Sequence, residues 1–187
     1  MNLMSLDLEF NQPSGKIIQV GVCILDTKTG HIFAEKRIYI KLNEQLNPDI
    51  SKLTGIEEEV LKKDGVSLID AYEIILEMKT KHHVFTNPIT WGLDDGRILK
   101  DQLYGMKLFG RTSQETHPWI FGGRSMDTKT LYQTRKIYLG EPTQSGLAKS
   151  LTRVGLNFKG KKHDALDDAI NTARLFHLLA NDFCSNE

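Results

Sequence analysis

No stretch of this 187-residue chain approaches the roughly 18 consecutive apolar residues that a membrane-spanning helix needs. Nor does it open on the basic, apolar, small-residue run of a secretory leader, so cytoplasmic residence is the default expectation. Cysteine is scarce. Cys23 falls in a strand-like run and Cys184 in the tail, which suggests no disulfide framework, and both are expected as free thiols. Net charge is missing altogether: 24 Lys and Arg balance 24 Asp and Glu, which argues against a binder that works by bulk positive charge. It does not exclude an enzyme acting on nucleic acid, because metal ions can supply positive charge locally at an acidic site. Internal repeats, coiled-coil heptads and low-complexity segments are also absent.

What is present is 40% hydrophobic and 26% charged residues, ordinary for a globular protein and enough for one domain over residues 1–187. Leu3 to Phe10 reads as a short apolar strand, probed by its alternation: Leu6, Leu8 and Phe10 point one way, Ser5, Asp7 and Glu9 the other. Turn signals at Asn11–Gly15 and Asp26–Gly30 separate it from strands over Lys16–Leu25 and His31–Lys41, which predicts an antiparallel meander. Short helical segments follow from Asn47 to Thr54 and from Ile56 to Leu61. A longer helix is predicted over Ser67–Lys81 with Ser67 as N-cap. Val84–Trp91 reads as a fourth strand, Arg97–Leu108 as a helix, Gly110–Gly123 as a loop and Arg124–Thr128 as a strand. Gly146–Val154 is a short amphipathic helix, and a last helix is predicted from about His163 to Asp182. A meander followed by alternating helices and strands predicts an α/β fold with a mixed five-stranded sheet flanked by helices.

Two carboxylates on one face of a central strand are costly, since they repel and burial disfavours their ionisation. Set two positions apart, Asp7 and Glu9 could share a divalent cation. They could equally be surface acids on a solvated edge. Asp94 and Asp95 lie where the fourth strand passes into a helix, the edge at which α/β folds bind ligands, though an N-cap would also explain them. Asp164, Asp167 and Asp168 open the final helix, where acids also compensate the dipole. If that helix includes His163, it sits about 140° around the axis from Asp168, flanking a site. Four acids and one histidine match the needs of two-metal phosphoryl chemistry: hard oxygen ligands for two ions roughly 4 Å apart, and a group that titrates near neutrality to accept a proton.

These residues resemble the DEDD-type 3′–5′ exonucleases of the ribonuclease H-like fold, in the subgroup with histidine in the third motif, relatives of ribonuclease T, oligoribonuclease and the polymerase proofreading exonucleases. Asp7-Leu8-Glu9 resembles the first motif, and His163-Asp164-Ala165-Leu166-Asp167-Asp168-Ala169 the third. Asp95, followed four residues later by Leu99, resembles the second, and this spacing favours it over Asp94. Asn47-Pro48 through Ile56, and Asp127-Thr128, resemble the segments on either side. The resemblance implies that Asp7, Glu9, Asp95 and Asp168 hold two Mg²⁺ or Mn²⁺ ions, with Asp7 shared and Asp95 binding partly through water. It implies that His163 is the general base and that Phe10 and Leu53 touch the terminal nucleotide. Both of these could also be core residues, and many family members have a small hydroxyl residue where this chain has Phe10.

The expected activity is metal-dependent release of nucleoside 5′-monophosphates from the 3′ end of single-stranded RNA or DNA. The Trp91-Gly92-x-x-Asp95 form leans toward RNA. Alternatives are a non-catalytic nucleic-acid-binding or scaffold module, from which a ligand is usually lost, and a polymerase-bound proofreading exonuclease, which would need a docking segment. A homodimer stays open as the assembly state. Trp119 and Phe121 in the loop could stack on bases or pack down as loop core.

Overall fold

The computed structural model describes residues 1–92, 95–105 and 119–184. Its centre is β1 (Asn2–Phe10), which pairs antiparallel with β2 (Ile17–Asp26); β2 pairs antiparallel with β3 (Ile32–Tyr39). On the other side of β1 lie β4 (Ile89–Thr90) and β5 (Met126–Asp127), both parallel to it, giving the order β3-β2-β1-β4-β5. The expected mixed five-stranded sheet is therefore present, with the acidic strand at its middle rather than its edge.

Strand periodicity decides what each face of β1 meets. Met4, Leu6 and Leu8 join Val20, Val22 and Ile24 of β2 in the main core, under α3 (Leu68–Lys81) and α4 (Asp95–Gly105). Leu3 and, from β2, Cys23 and Leu25 face the other way, toward Ala173 of α7 (Ala165–Cys184). The sheet is thus sandwiched between helices, and Asp7 and Glu9 share the parity of Leu3, the α7 side. Cys23 is a buried free thiol; the side chain of Cys184 lies outside the described set.

The remaining helices are short. α1 (Pro48–Thr54) is capped by Asn47, whose side chain accepts from the Asp49 N–H, and ends at left-handed Gly55. α2 (Glu58–Asp64) follows, and Ser67 and Asp70 form a capping box at the start of α3. α6 (Leu147–Arg153) lies where its amphipathic pattern placed it.

Three expectations need correction. The fourth strand is two residues long, not eight. Asn2 and Val84 form an isolated bridge, but Pro88 has no N–H to continue the ladder, and regular pairing begins only at Ile89. A helix, α5 (Thr128–Tyr138), follows β5 directly and was not foreseen. Its cap is Asp127, whose carboxylate accepts from the Lys129 and Gly92 N–H groups, each at 2.9 Å. The last helix starts at Ala165, so His163 is outside it. Of the loop predicted over residues 110–123, positions 110–118 lie outside the described residues, as does Asp94. Among the described residues, no helix is long and apolar enough to cross a membrane.

Candidate active site

The first turn of α7 is built against the sheet by a glycine and a clamp. Gly21 of β2 pairs with Asp7 of β1. A Cβ on Gly21 would stand 2.0 Å from the Ala165 carbonyl carbon and 2.2 Å from the Leu166 nitrogen, both backbone atoms. Only glycine lets the helix start this close to the strand that carries the acids. Next to it, fully buried Gln19 donates from its amide to Asp164 Oδ2 (3.1 Å), and its carbonyl accepts from the Ala165 N–H (2.8 Å). From β3, Arg37 grips the same carboxylate, Nε to Oδ2 and Nη2 to Oδ1, each at 2.9 Å. Asp164 in turn accepts from the Leu166 and Asp167 N–H groups at 3.1 and 3.2 Å, which makes it the N-cap of α7. Burial opposes its ionisation, but the hydrogen bonds from Arg37, the Asp167 backbone and Gln19 together hold its carboxyl below the usual carboxylate range.

Immediately before this cap, His163 takes a left-handed backbone with φ +61°, uncommon for a residue with a side chain. Its N–H donates to Asp168 Oδ2 at 3.1 Å. That turn, rather than a helical face, sets the imidazole beside the carboxylates. Ligand atoms of Glu9, His163 and Asp168 all lie within 4.8 Å of one another. They line an open cleft of about 560 Å³ together with Asp7, Trp91, Phe158, Lys149 and Lys162.

The acids strain one another. Burial, then the charges of Asp95, Asp168 and Glu9, push Asp7 well above its ordinary value. Glu9 is pushed up to about 8, by burial first and then by Asp168, Asp164 and Asp95. Burial also lifts Asp168 to about 6, against the hydrogen bond and charge of His163 that favour its ionised form. Carboxylates held together this way are short of positive charge, and hard oxygen donors with one imidazole suit a divalent cation.

Each residue expected at the site can now be located. Asp7, Glu9, His163 and Asp168 meet in the cleft. Asp95 opens α4, partly buried, and its charge reaches both Asp7 and Glu9; Leu99, one turn on, is fully buried in the main core. Phe10 is partly buried and packs against the main core. Leu53 is the opposite case, 48% exposed on the last turn of α1. Trp119 and Phe121 pack down: Trp119 stacks on Tyr72 with ring centres 6.1 Å apart, and Phe121 meets it edge-on and is 4% exposed. Gln19, Gly21 and Arg37 were missed, although a glutamine and a glycine inside the apolar run Ile17–Leu25 were a visible signal.

The model of the RNase_T family, described as Exonuclease, matches residues 4–176. The chain belongs to this exonuclease family. The match bears out the expected exonuclease family, and the solved structures below bear out the ribonuclease H-like fold. Among similar proteins is the "Probable 3'-5' exonuclease KapD" of Bacillus subtilis, 26% identical over 97% of this chain and 85% of that protein. Mouse "ERI1 exoribonuclease 2" is 28% identical over 91% of this chain, which spans only 26% of the mouse protein. Solved structures that share the fold include two nucleases. The nuclease domain of 3'hExo, a DEDDh family member bound to rAMP, has a TM-score of 0.78 at 21% identity, covering 98% of this chain and 93% of that one. Cell-death related nuclease 4 has a TM-score of 0.78 at 18% identity, covering 97% of this chain and 64% of that one.

Proposed function

We propose that this exonuclease shortens single-stranded nucleic acid from its 3′ end, one nucleoside 5′-monophosphate at a time, with residues 1–187 acting as one catalytic domain. The observation that carries this reading is the convergence of Glu9, His163 and Asp168 within 4.8 Å in a cleft that also holds Asp7. Asp7, Glu9, Asp95 and Asp168 would hold two Mg²⁺ or Mn²⁺ ions, with Asp7 serving both. When bound, the ions supply Lewis-acid charge to the scissile phosphate and to the leaving oxygen.

The chain's own groups do the rest. An imidazole nitrogen of His163 takes the proton of the attacking water as its oxygen bonds to phosphorus. The bond from phosphorus to the 3′ oxygen of the preceding nucleotide breaks, and that oxygen takes a proton from solvent water. His163 stands exposed at the cleft rim, where it can pass its proton to solvent. Lys149 and Lys162 line the same cleft and suit the phosphate of the terminal nucleotide. Exposed Leu53 is available to wedge against the terminal base, and Phe10 adjoins Glu9 at the end of β1. RNA is favoured over DNA, supported by the Trp91-Gly92-x-x-Asp95 form and by relatives named as an exoribonuclease or seen with rAMP.

The test uses matched RNA and DNA oligonucleotides labelled at the 5′ end, incubated with Mg²⁺ or Mn²⁺. A ladder shortening from the 3′ end, faster on RNA, stopped by chelator and lost in Asp7→Ala, is the expected outcome. No chelator-sensitive shortening, or an Asp7→Ala variant as active as the parent, would refute the assignment.

A further inference from the structure

A second cleft, of about 670 Å³, shares no lining residue with the first. It runs along the outer side of α4, whose inner side buries Leu99 and Leu103 in the main core. Gly96, Arg97, Lys100 and Asp101 form one wall, at the i, i+1, i+4 and i+5 positions that share a helix face. Pro88 and the segment Phe121–Ser125 form the other, with Arg124 on it. Three cations therefore face one acid in this cleft, and that acid, Asp101, lies 3.5 Å from Arg97. The excess stands out on a chain with no net charge.

Two features make this a built surface. Trp119, anchored on Tyr72, carries the Lys100 ammonium 5.9 Å from its ring centre, which restrains a side chain that would otherwise wander. Gly123, where an added Cβ would meet nothing within 4 Å, keeps the opposite wall low, so a chain can lie in the groove. One end of the groove reaches the start of α4: Gly96, on its wall, directly follows Asp95, the acid proposed for the first site.

We propose that this groove is a binding site for the nucleic-acid strand on the 5′ side of the scissile bond, engaging its phosphates through Arg97, Lys100 and Arg124. The inference rests on the exonuclease reading above and extends it to the path of the substrate. Contacts to phosphate give affinity without base preference, so the groove serves strand length and not sequence.

The test pairs wild type with a Lys100→Glu/Arg124→Glu double variant. Circular dichroism checks folding, and Lys100→Gln/Arg124→Gln replaces the pair if the charge reversal unfolds the protein. Binding of an unstructured RNA of about 12 nucleotides is read by fluorescence anisotropy in chelator, over a series of salt concentrations. The expected result is on the order of tenfold weaker binding, with about 1.4 removed from the slope of log K against log salt, roughly 0.7 for each phosphate contact. With metal, the wild-type advantage of the long RNA over a trinucleotide in kcat/KM should collapse in the variant. Unchanged affinity and salt slope overturn the proposal, as does an equal loss of kcat/KM on both substrates. A wild type that binds RNA tightly but never shortens it refutes the exonuclease assignment instead, and leaves the binding comparison to decide the groove.

Discussion

Replacing Glu9 by Gln should make the metal-free protein more stable while destroying its activity. Glu9 stands at about 8 against an ordinary 4.5, because burial and three neighbouring acids disfavour its charge. Between these two values the folded protein holds a proton that the unfolded chain has released, so stability falls as pH rises through that window. At about 1.4 kcal/mol per pH unit, the penalty reaches roughly 3 kcal/mol at pH 7 and levels off near 5 above pH 8. Glu9 is partly open to the cleft, and solvent screening lowers these ceilings. Glutamine keeps the shape and never ionises. The expected gain for Glu9→Gln in chelator is about 1–3 kcal/mol at pH 7.5, or roughly 2–12 °C in melting temperature for a chain of this size, shrinking toward zero near pH 4.5.

A divalent ion should reverse the order. Wild type gains RT ln(1 + [M]/Kd), about 2.7 kcal/mol at a hundredfold excess over Kd, and the variant gains less because a ligand oxygen has lost its charge. Thermal melts followed by circular dichroism, at pH 4.5 and 7.5 with chelator or Mn²⁺, read all four conditions. If Glu9→Gln is no more stable than wild type at pH 7.5 in chelator, Glu9 is solvated or paired and the reasoning about the acid cluster fails.

What could be read from the sequence followed the range over which each cause acts. The parity of Asp7 and Glu9 against Leu6 and Leu8 was legible because a strand alternates with a period of two, and nothing distant can change that. The Ser67 cap was legible for the same local reason. His163 was misplaced onto the last helix because its left-handed backbone is imposed from outside: Gln19 and Arg37, far away in the chain, hold the Asp164 cap that fixes where α7 begins. Strand β4 was over-read since apolar residues at 84–91 resemble a strand, whereas Pro88 interrupts its ladder. α5 was missed because Thr128, Thr130 and Thr134 are poor helix formers, and its start depends on Asp127 as cap. For Trp119 the sequence allows either substrate or core, and the choice lies in its distant partner Tyr72.

Three further outcomes test how the site is held. His163→Ala should lower kcat by about 10²–10⁴-fold with little change in oligonucleotide binding, measured by single-turnover kinetics and anisotropy; full activity at neutral pH would remove it as the base. Gly21→Ala should cost about 1–3 kcal/mol and also impair cleavage, because its Cβ meets Ala165 backbone at 2.0 Å and only a shift of the first turn of α7, which carries Asp168, relieves that; a melt and an activity equal to wild type would mean the helix start is compliant. Arg37→Met strips the guanidinium from Asp164 while leaving Gln19 and the capped backbone N–H groups in place. Because Arg37 is 37% exposed, the loss should be about 1–2 kcal/mol and not the larger figure of a sealed ion pair. Asp164 is held below its ordinary 3.8, so the stability it contributes is present above that pH and disappears as the carboxylate is protonated on acidification. Wild type and Arg37→Met should therefore differ most at neutral pH and converge as the pH falls below 3.8. A constant gap across that range would mean that Arg37 acts through packing alone, and that the clamp on α7 owes nothing to charge.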